Sequence, residues 1–311
     1  MKIVFMGTPE FAVESLKSLV ENKYEVVGVV TMPDKPAGRG NKLQFSAVKQ
    51  YALEHNLPLL QPEKLKDETF LSELKSLQAD LQIVVAFRML PEVVWNMPTY
   101  GTFNLHASLL PQYRGAAPIN WAIINGETVT GATTFFLTHE IDTGKIILQE
   151  KLLIDESDNA GTVHDRLMVL GAGLVKRTVD LLVQDKIEGI DQSQFMNPDL
   201  KLKPAPKIFK DTCEIHLTWP VERVHNFVRG LSPYPAAWVE LQFPGQTGKT
   251  TLKVFETEKE PAIHDLIIGT VVTDHKKVAK VALIDGFIHL KQVQAPGKKR
   301  MEIGELLRGM R

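Results

Sequence analysis

The stretch IVFMGTPEFAVESLKSLVENKYEVVGVV, residues 3–30, decides the fold class of this 311-residue chain. Its apolar start, residues 3–6, predicts a short buried strand. Thr8 suits the cap of a following helix, and Pro9 suits its first position. Apolar side chains then recur at helical spacing until residues 26–30 predict another strand. Strand, helix and strand in succession predict a βαβ unit in a parallel sheet.

The same alternation continues over about the first 150 residues. Residues 81–87 predict a third strand, apolar except for Gln82, as expected of a strand that is covered on both faces. The class is therefore α/β, with a parallel sheet between helices. Gly7 follows the first strand, but the other glycines of a dinucleotide fingerprint are absent. We expect no nicotinamide or flavin cofactor and interpret Gly7 as a tight strand-to-helix turn.

The pattern changes in the second half of the chain. Residues 160–186 predict a long helix, and Pro alternates with Lys from about residue 189 to residue 206, which predicts a stiff, extended and basic segment. Residues 221–229 predict a helix among short β-like runs that indicate a small β-barrel. We predict three segments: a catalytic domain (1–189), a basic linker (190–207) and a barrel domain (208–311). The β-like runs are residues 214–219, 237–242, 253–255, 267–272, 278–284 and 287–293.

Composition narrows the class of protein. With 44% hydrophobic and 23% charged residues, the chain is typical of globular proteins. The single cysteine, Cys213, excludes an intramolecular disulfide and a cysteine-based metal cluster. The nine histidines are scattered, so we expect no metal. No apolar run is long enough for a membrane span, and the start lacks a signal peptide's layout. These features predict a bacterial cytoplasmic protein without a membrane partner.

The net charge of −1 hides an asymmetry between the two halves. Residues 1–200 carry 18 Lys and Arg against 25 Asp and Glu, whereas residues 201–311 carry 18 against 12. Such a charge asymmetry indicates that the second half binds a polyanion. The alternative is an ordinary, uneven distribution of surface charges.

A pair of polar side chains closes one predicted strand. In FNLHASLLP, residues 103–111, Asn104 and His106 lie on one face because side chains alternate along a strand. An amide and an imidazole there can stabilise an oxygen that gains negative charge. They can equally form a buried pair that is tied to neighbouring backbone.

A carboxylate follows 36 residues after His106, in the segment THEIDTG, residues 138–144. Asp142 and Gly144 suit a tight turn, with Gly supplying a positive φ. Beside the Asn/His pair, Asp142 would also fix the tautomer of the imidazole. No Ser or Cys lies in a recognisable nucleophile setting, which favours direct transfer between two bound substrates over a covalent enzyme intermediate.

These motifs belong to a wider set that is similar to a known family. The set comprises FMGTPEFA (5–12), PDKPAGRG (33–40), NLHASLLP (104–111), YRGAAP (113–118), DTG (142–144) and PGKKRM (296–301). It resembles the folate-dependent formyltransferases over nearly the whole chain, and within them the branch that acts on methionyl-tRNA. Phe87-Arg88 and Asn120-Trp121 depart from the family pattern.

The resemblance implies a Rossmann-like catalytic domain, an OB-like barrel, and formyl transfer from 10-formyltetrahydrofolate to the α-amine of methionyl initiator tRNA. It implies that Asn104 and His106 stabilise the oxyanion, and that Asp142 orients His106 and helps to remove the amine proton. It also implies a folate site formed by Phe87, Arg88, Met89, Leu90, Ser108, Leu109, Leu110 and Pro111.

Basic segments are the expected tRNA contacts. The loop 33–43 is long and cationic, and the resemblance places its Arg39 in the acceptor stem; the alternative is a plain surface loop. The lysines of residues 190–207 suit phosphate contacts or an interdomain spacer. The expected tRNA-binding residues are Lys35, Arg39, Lys42, Lys201, Lys203, Lys207, Lys298, Lys299 and Arg300. We expect a monomer.

Two other functions stay open at the sequence level. A formyltransferase for a small amine, glycinamide ribonucleotide or an amino sugar nucleotide, would share the Asn/His/Asp site but would not need the cationic loop or a basic barrel. A tRNA-binding protein without enzyme activity would need the barrel but not the three site residues. The presence of both sets favours the tRNA formyltransferase.

Overall fold

The structure is a computed structural model. It describes residues 1–37, 42–184, 187, 189–196 and 201–310, with backbone only for residues 35–37 and 42. By its internal contacts the chain divides into two compact units. The first comprises residues 1–115, 130–152 and 164–204, and the second comprises residues 116–129, 153–163 and 205–311. The predicted boundaries at residues 189 and 207 stay a prediction.

The first unit is built on a seven-stranded sheet. A separate antiparallel pair of strands, β3 and β4, covers most of the described part of the segment predicted as a cationic loop and ends one residue beyond it. The strands are β1 (Lys2–Gly7), β2 (Glu25–Val30), β3 (Lys35–Ala37), β4 (Lys42–Gln44), β5 (Leu59–Leu60), β6 (Leu81–Val85), β7 (Thr102–His106), β8 (Val129–Phe136) and β9 (Ile146–Leu153).

The sheet order is β5-β2-β1-β6-β7-β8-β9. The first five strands in this order pair in parallel, which confirms the predicted Rossmann-like sheet. β8 instead runs antiparallel to β7. All five residues of β6 are buried, as its apolar sequence predicted.

Five helices accompany this sheet in the described part of the chain. They are α1 (Glu10–Glu21), α2 (Ala47–Glu54), α3 (Glu68–Ser76), α4 (Glu92–Trp95) and α6 (Ala160–Val183), the last of which begins in the second unit. Side-chain caps start α2 at Ser46 and α3 at Asp67. Buried Val163, Leu167 and Leu174 form the apolar face of α6.

Two local predictions at the start of α1 are wrong. Pro9, not Thr8, is the cap residue, and no side chain caps α1, so the hydroxyl of Thr8 stays buried without a partner among the described residues. Gly7 lies within β1 without a positive φ. A Cβ on Gly7 would lie 2.6 Å from Ala12 Cβ and 3.1 Å from the carbonyl oxygen of Val85. Glycine is therefore required at position 7 by close packing, and not by the backbone conformation of a turn.

The second unit contains a curled antiparallel sheet in the order β10-β11-β14-β13-β12, with β15 beside β14. Its strands are β10 (Ala237–Leu241), β11 (Thr250–Pro261), β12 (Val271–Thr273), β13 (Ala279–Leu283), β14 (Gly286–Gln294) and β15 (Met301–Glu302). Helices α5 (Pro118–Ile124), α7 (Val221–Leu231) and α8 (Ile303–Arg308) also belong to this unit. The core combines alternate strand residues with the apolar face of α7.

One predicted strand of this unit is absent from the described structure. Residues 214–219 form a single bridge, Glu214 to Trp238, after the 3₁₀ helix Lys210–Cys213. The segment leads directly into α7, where Asp285 accepts a hydrogen bond from the backbone of Val221 at 2.8 Å. In the described residues no helix has the length and apolar character that a membrane crossing requires.

Candidate active site

Strand β7 places the predicted amide and imidazole at the carboxyl edge of the parallel sheet, where ligands bind in such folds. His106 ends the strand and is 6% exposed, while Asn104 is half-buried two residues earlier. The side-chain amide of Asn104 has no hydrogen-bond partner in the described part of the chain. It is available to a ligand.

The imidazole of His106 is held on two sides. Its Nε2 donates to the carbonyl oxygen of Tyr113 at 2.8 Å, and its ring stands edge-on to Phe135. Its Nδ1 lies 3.8 Å from Oδ2 of Asp142. In the neutral ring the single N–H is on Nε2 and donates to the carbonyl of Tyr113. Nδ1 is then an acceptor, and it faces the carboxylate of Asp142, which is also an acceptor. The gap is too long for a direct hydrogen bond.

Asp142 is fixed by backbone. Its Oδ2 accepts a hydrogen bond from the N–H of Gly115 at 2.9 Å, and its own φ is +55°. The prediction that Gly144 supplies the positive φ is therefore wrong. A Cβ on Gly144 would lie 1.7 Å from the carbonyl oxygen of Phe136, so Gly144 is required for close approach.

Two functional neighbours were missed at the sequence level. The amide of Gln192 donates to the carbonyl oxygens of Asp142 and Gly144, and it accepts from the guanidinium of Arg114. Arg114 stands in the motif YRGAAP and could have been singled out there. Gln192 carries no such signal, because it lies in the segment predicted as a linker.

The predicted folate segment 87–90 follows β6 directly. Leu90 is buried, Phe87 is half-buried and Met89 is 71% exposed. Arg88, a departure from the family pattern, donates to the carbonyl oxygens of Pro62 and Glu63. Pro62 and Glu63 also line a cleft of about 440 Å³ in the first unit.

The second predicted folate segment, 108–111, serves partly as internal structure. The hydroxyl of Ser108 donates to the carbonyl oxygen of Gln112 at 2.7 Å. Leu110 is 2% exposed, and its carbonyl oxygen accepts from the amide of Gln149. Leu109 is half-buried and Pro111 is buried.

The predicted tRNA contacts fall in both units. Lys201, Lys203, Lys207, Lys298, Lys299 and Arg300 are all exposed. The guanidinium of Arg300 is ordered over the ring of Phe255 and donates to Gln292 at 2.7 Å. Lys35 and Lys42 are described by backbone only, and Arg39 lies outside the described residues.

The departure at Asn120-Trp121 has a structural role in the second unit. The amide of Asn120 donates to the carbonyl oxygen of Gly230 at 2.7 Å, which ties α5 to α7. The indole N–H of Trp121 donates to the carbonyl oxygen of Pro206 at 2.8 Å. No group of three or more His, Cys, Asp or Glu among the described residues is arranged to hold a metal ion.

The fold is that of a group-transfer enzyme of the α/β class. The family model described as "Formyl transferase" matches residues 1–179, and "Formyl transferase, C-terminal domain" matches residues 207–311. The chain belongs to the formyl transferase family and is a formyltransferase.

Curated relatives match the chain from end to end. A methionyl-tRNA formyltransferase from Bacteroides thetaiotaomicron is 63% identical over 311 residues, which cover 100% of this chain and 96% of the relative. One of the same name from Flavobacterium psychrophilum is 53% identical, again over 100% of this chain and 96% of the relative.

Solved structures show the same fold at low identity. HypX from Aquifex aeolicus, determined with tetrahydrofolic acid, has a TM-score of 0.64 and 16% identity, covering 99% of this chain. This chain spans only 47% of the HypX chain. The sugar 3N-formyltransferase WlaRD has a TM-score of 0.62 and 20% identity, covering 96% of this chain and 99% of WlaRD.

Proposed function

We propose that this formyltransferase transfers the formyl group of 10-formyltetrahydrofolate to the α-amine of methionyl initiator tRNA, for the initiation of translation. The supporting relatives are methionyl-tRNA formyltransferases, among them one that is 63% identical over the full chain. The observation that carries the chemistry is the cluster of Asn104, His106 and Asp142 at the carboxyl edge of the sheet.

The acceptor amine needs little activation. A free α-amine has a pKa near 8, and esterification of the neighbouring carboxylate lowers it further. A usable neutral fraction therefore exists near pH 7. Its nitrogen attacks the formyl carbon and forms a tetrahedral intermediate that carries an oxyanion and a positively charged amine.

Asn104 is our choice for the oxyanion donor, because its amide has no competing partner among the described residues. A preorganised donor of this kind is worth about 3–4 kcal/mol of barrier. The sequence prediction that His106 also donates to the oxyanion stays a prediction. In the structure its Nε2–H donates to the carbonyl oxygen of Tyr113.

The His106–Asp142 pair receives the proton that the attacking amine must lose. Two acceptor atoms, Nδ1 and Oδ2, face each other at 3.8 Å and lack a proton between them in the neutral-ring state. The carboxylate stabilises the imidazolium that forms when the ring takes up this proton. Collapse of the intermediate then expels tetrahydrofolate, whose N10 takes a proton back.

The remaining site residues are assigned on the family resemblance. Folate is proposed to bind along segments 87–90 and 108–111, and tRNA phosphates along the exposed lysines of segment 201–207 and the tail 298–300. Arg39 is proposed to enter the acceptor stem. We further propose a monomer in the bacterial cytoplasm.

The deciding experiment is an acceptor competition. Purified protein with 10-formyltetrahydrofolate is given charged initiator tRNA, glycinamide ribonucleotide or an amino sugar nucleotide, and formylated product is measured for each. We expect formyl-methionyl-tRNA only. Formylation of a small amine in preference to the tRNA would refute the proposed acceptor.

A further inference from the structure

We propose that Gln192 is a positioning residue that holds Asp142 against His106. This inference rests on the proposed function. All four hydrogen-bonding positions of its amide are used. The NH₂ group donates to the carbonyl oxygens of Asp142 and Gly144 at 2.8 and 2.9 Å. The oxygen accepts from Nε and an Nη of Arg114 at 3.2 and 2.6 Å.

The two halves of this amide bind the two segments that hold the catalytic pair, one through main-chain carbonyls and the other through the side chain of Arg114. One segment is the 142–144 turn, which carries the Asp142 carboxylate. The other contains Arg114, whose neighbours contact the pair directly. The carbonyl of Tyr113 accepts from His106, and the N–H of Gly115 donates to Asp142. Gln192 therefore fixes the position of the carboxylate relative to the imidazole.

Such support is needed because the pair does not hold itself together. The Nδ1–Oδ2 distance of 3.8 Å is set by backbone and not by a direct hydrogen bond. The turn also stores strain, since Asp142 has a left-handed φ of +55° that side chains other than Gly adopt at a cost. Release of its two carbonyls would let the turn relax and move the carboxylate.

Gln192 is itself rigidly placed. It is 3% exposed and opens the 3₁₀ helix Gln192–Phe195, capped by the carboxylate of Asp191. Two residues earlier, Ile190 exchanges both backbone hydrogen bonds with Ile146 at the start of β9, at 2.7 and 2.8 Å. A buried amide on an anchored segment is the supporting arrangement that precise sites require.

The substitution that tests this positioning role is Gln192→Glu, with Gln192→Leu as a second variant. The carboxylate can still accept from Arg114, but it turns acceptor oxygens toward the carbonyls of Asp142 and Gly144. We expect kcat to fall roughly tenfold or more, since small misplacements of a catalytic group carry costs of this order. KM for folate and for tRNA should change less than twofold.

A double-mutant cycle with Asp142→Asn tests whether Gln192 acts through the carboxylate. In that background, single-turnover rates should fall less than twofold on adding either Gln192 variant. Gln82→Glu is the matched control, because Gln82 is a buried glutamine of β6, 1% exposed, that accepts from Thr102. The folded fraction of this variant is measured by urea denaturation. Its rate per folded molecule should stay within twofold of the wild-type rate.

Three results would overturn the inference: wild-type kcat in the folded Gln192 variants, an equal loss in both Asp142 backgrounds, or an equal loss in the Gln82 control. Failure of the proposed function looks different. There the unsubstituted protein would not formylate methionyl-tRNA at all, and the same cycle would be read with whichever amine it does formylate.

Discussion

Replacing Asn104 by Ala isolates the oxyanion donor. The side chain is half-buried two residues before the end of β7 and has no hydrogen-bond partner in the described structure, so truncation leaves no protein group unpaired. The cost therefore falls on the transition state. One lost donor is worth about 3–4 kcal/mol, which lowers kcat by two to three orders of magnitude.

Stability should respond far less to the same change. Substitutions that neither bury an unpaired group nor open a large cavity usually cost no more than about 1 kcal/mol. Substrate binding should also hold, because the donor acts where charge develops and not on the bound ground state. Asn104→Ala thus predicts a selective loss of kcat with KM and the urea midpoint nearly unchanged.

Single-turnover formylation of methionyl-tRNA, with urea unfolding in parallel, measures both effects. Asn104→Asp tests whether the charge at this position affects the rate in the expected direction. The carboxylate has the same shape but repels an oxyanion, so its rate should not exceed that of the Ala variant. Asn22→Ala is the control, because the amide of Asn22 is exposed and caps only its own helix. A kcat within threefold of wild type for Asn104→Ala would refute the assignment.

Three further outcomes are expected. Asp142→Asn should remove most activity and change the pH–rate profile while the turn stays folded, and a profile that keeps the wild-type shape would exclude a proton-transfer role. Burial, with Arg229 and Lys259 nearby, lowers the pKa of His225 from its usual 6.5 to about 4. Between those values the unfolded chain binds the proton and the folded chain does not, so stability should fall by up to about 2 kcal/mol as pH drops from about 6.5 to about 4. His225→Gln should remove this part of the slope in denaturation curves, and an unchanged slope would contradict the shift. Affinity for tRNA should fall steeply with salt, and neutralising Lys298, Lys299 and Arg300 together should reduce the slope of log affinity against log salt by up to about three; salt-independent binding would favour a small acceptor.

The period of the apolar pattern predicted the fold well. β6 was predicted because its sequence is apolar throughout, and α6 was located within a few residues of its bounds. Features that depend on close packing between neighbouring segments were not predictable. Gly7 and Gly144 look like turn glycines, yet each is required by an atom of another segment, at Ala12 and at Phe136.

The site residues also differ in how far the sequence predicted them. Asn104, His106 and Asp142 stand in motifs with a chemical reason for their spacing, and the structure brings His106 and Asp142 together. Gln192 lies 50 residues after Asp142, in a segment whose Pro and Lys residues indicate a linker. Its proposed function depends on the folded chain, because it binds two main-chain carbonyls and the side chain of Arg114, all distant from it in sequence.

The Pro/Lys segment has a consequence for where the catalytic unit can be cut. The backbone N–H of Lys203 donates to the side chain of Gln112 at 2.9 Å, and its carbonyl accepts from Tyr113 at 2.7 Å. Tyr113 is the residue whose own carbonyl holds the imidazole of His106. Proteolytic cleavage shortly before Lys203 would thus separate Lys203 from the rest of the first unit, where it contacts Gln112 and Tyr113. Cleavage after Pro204 would leave Lys203 and its two hydrogen bonds in that unit. We therefore expect the catalytic unit to need the chain up to about Pro204, some 25 residues beyond residue 179, where the match to the formyl transferase model ends.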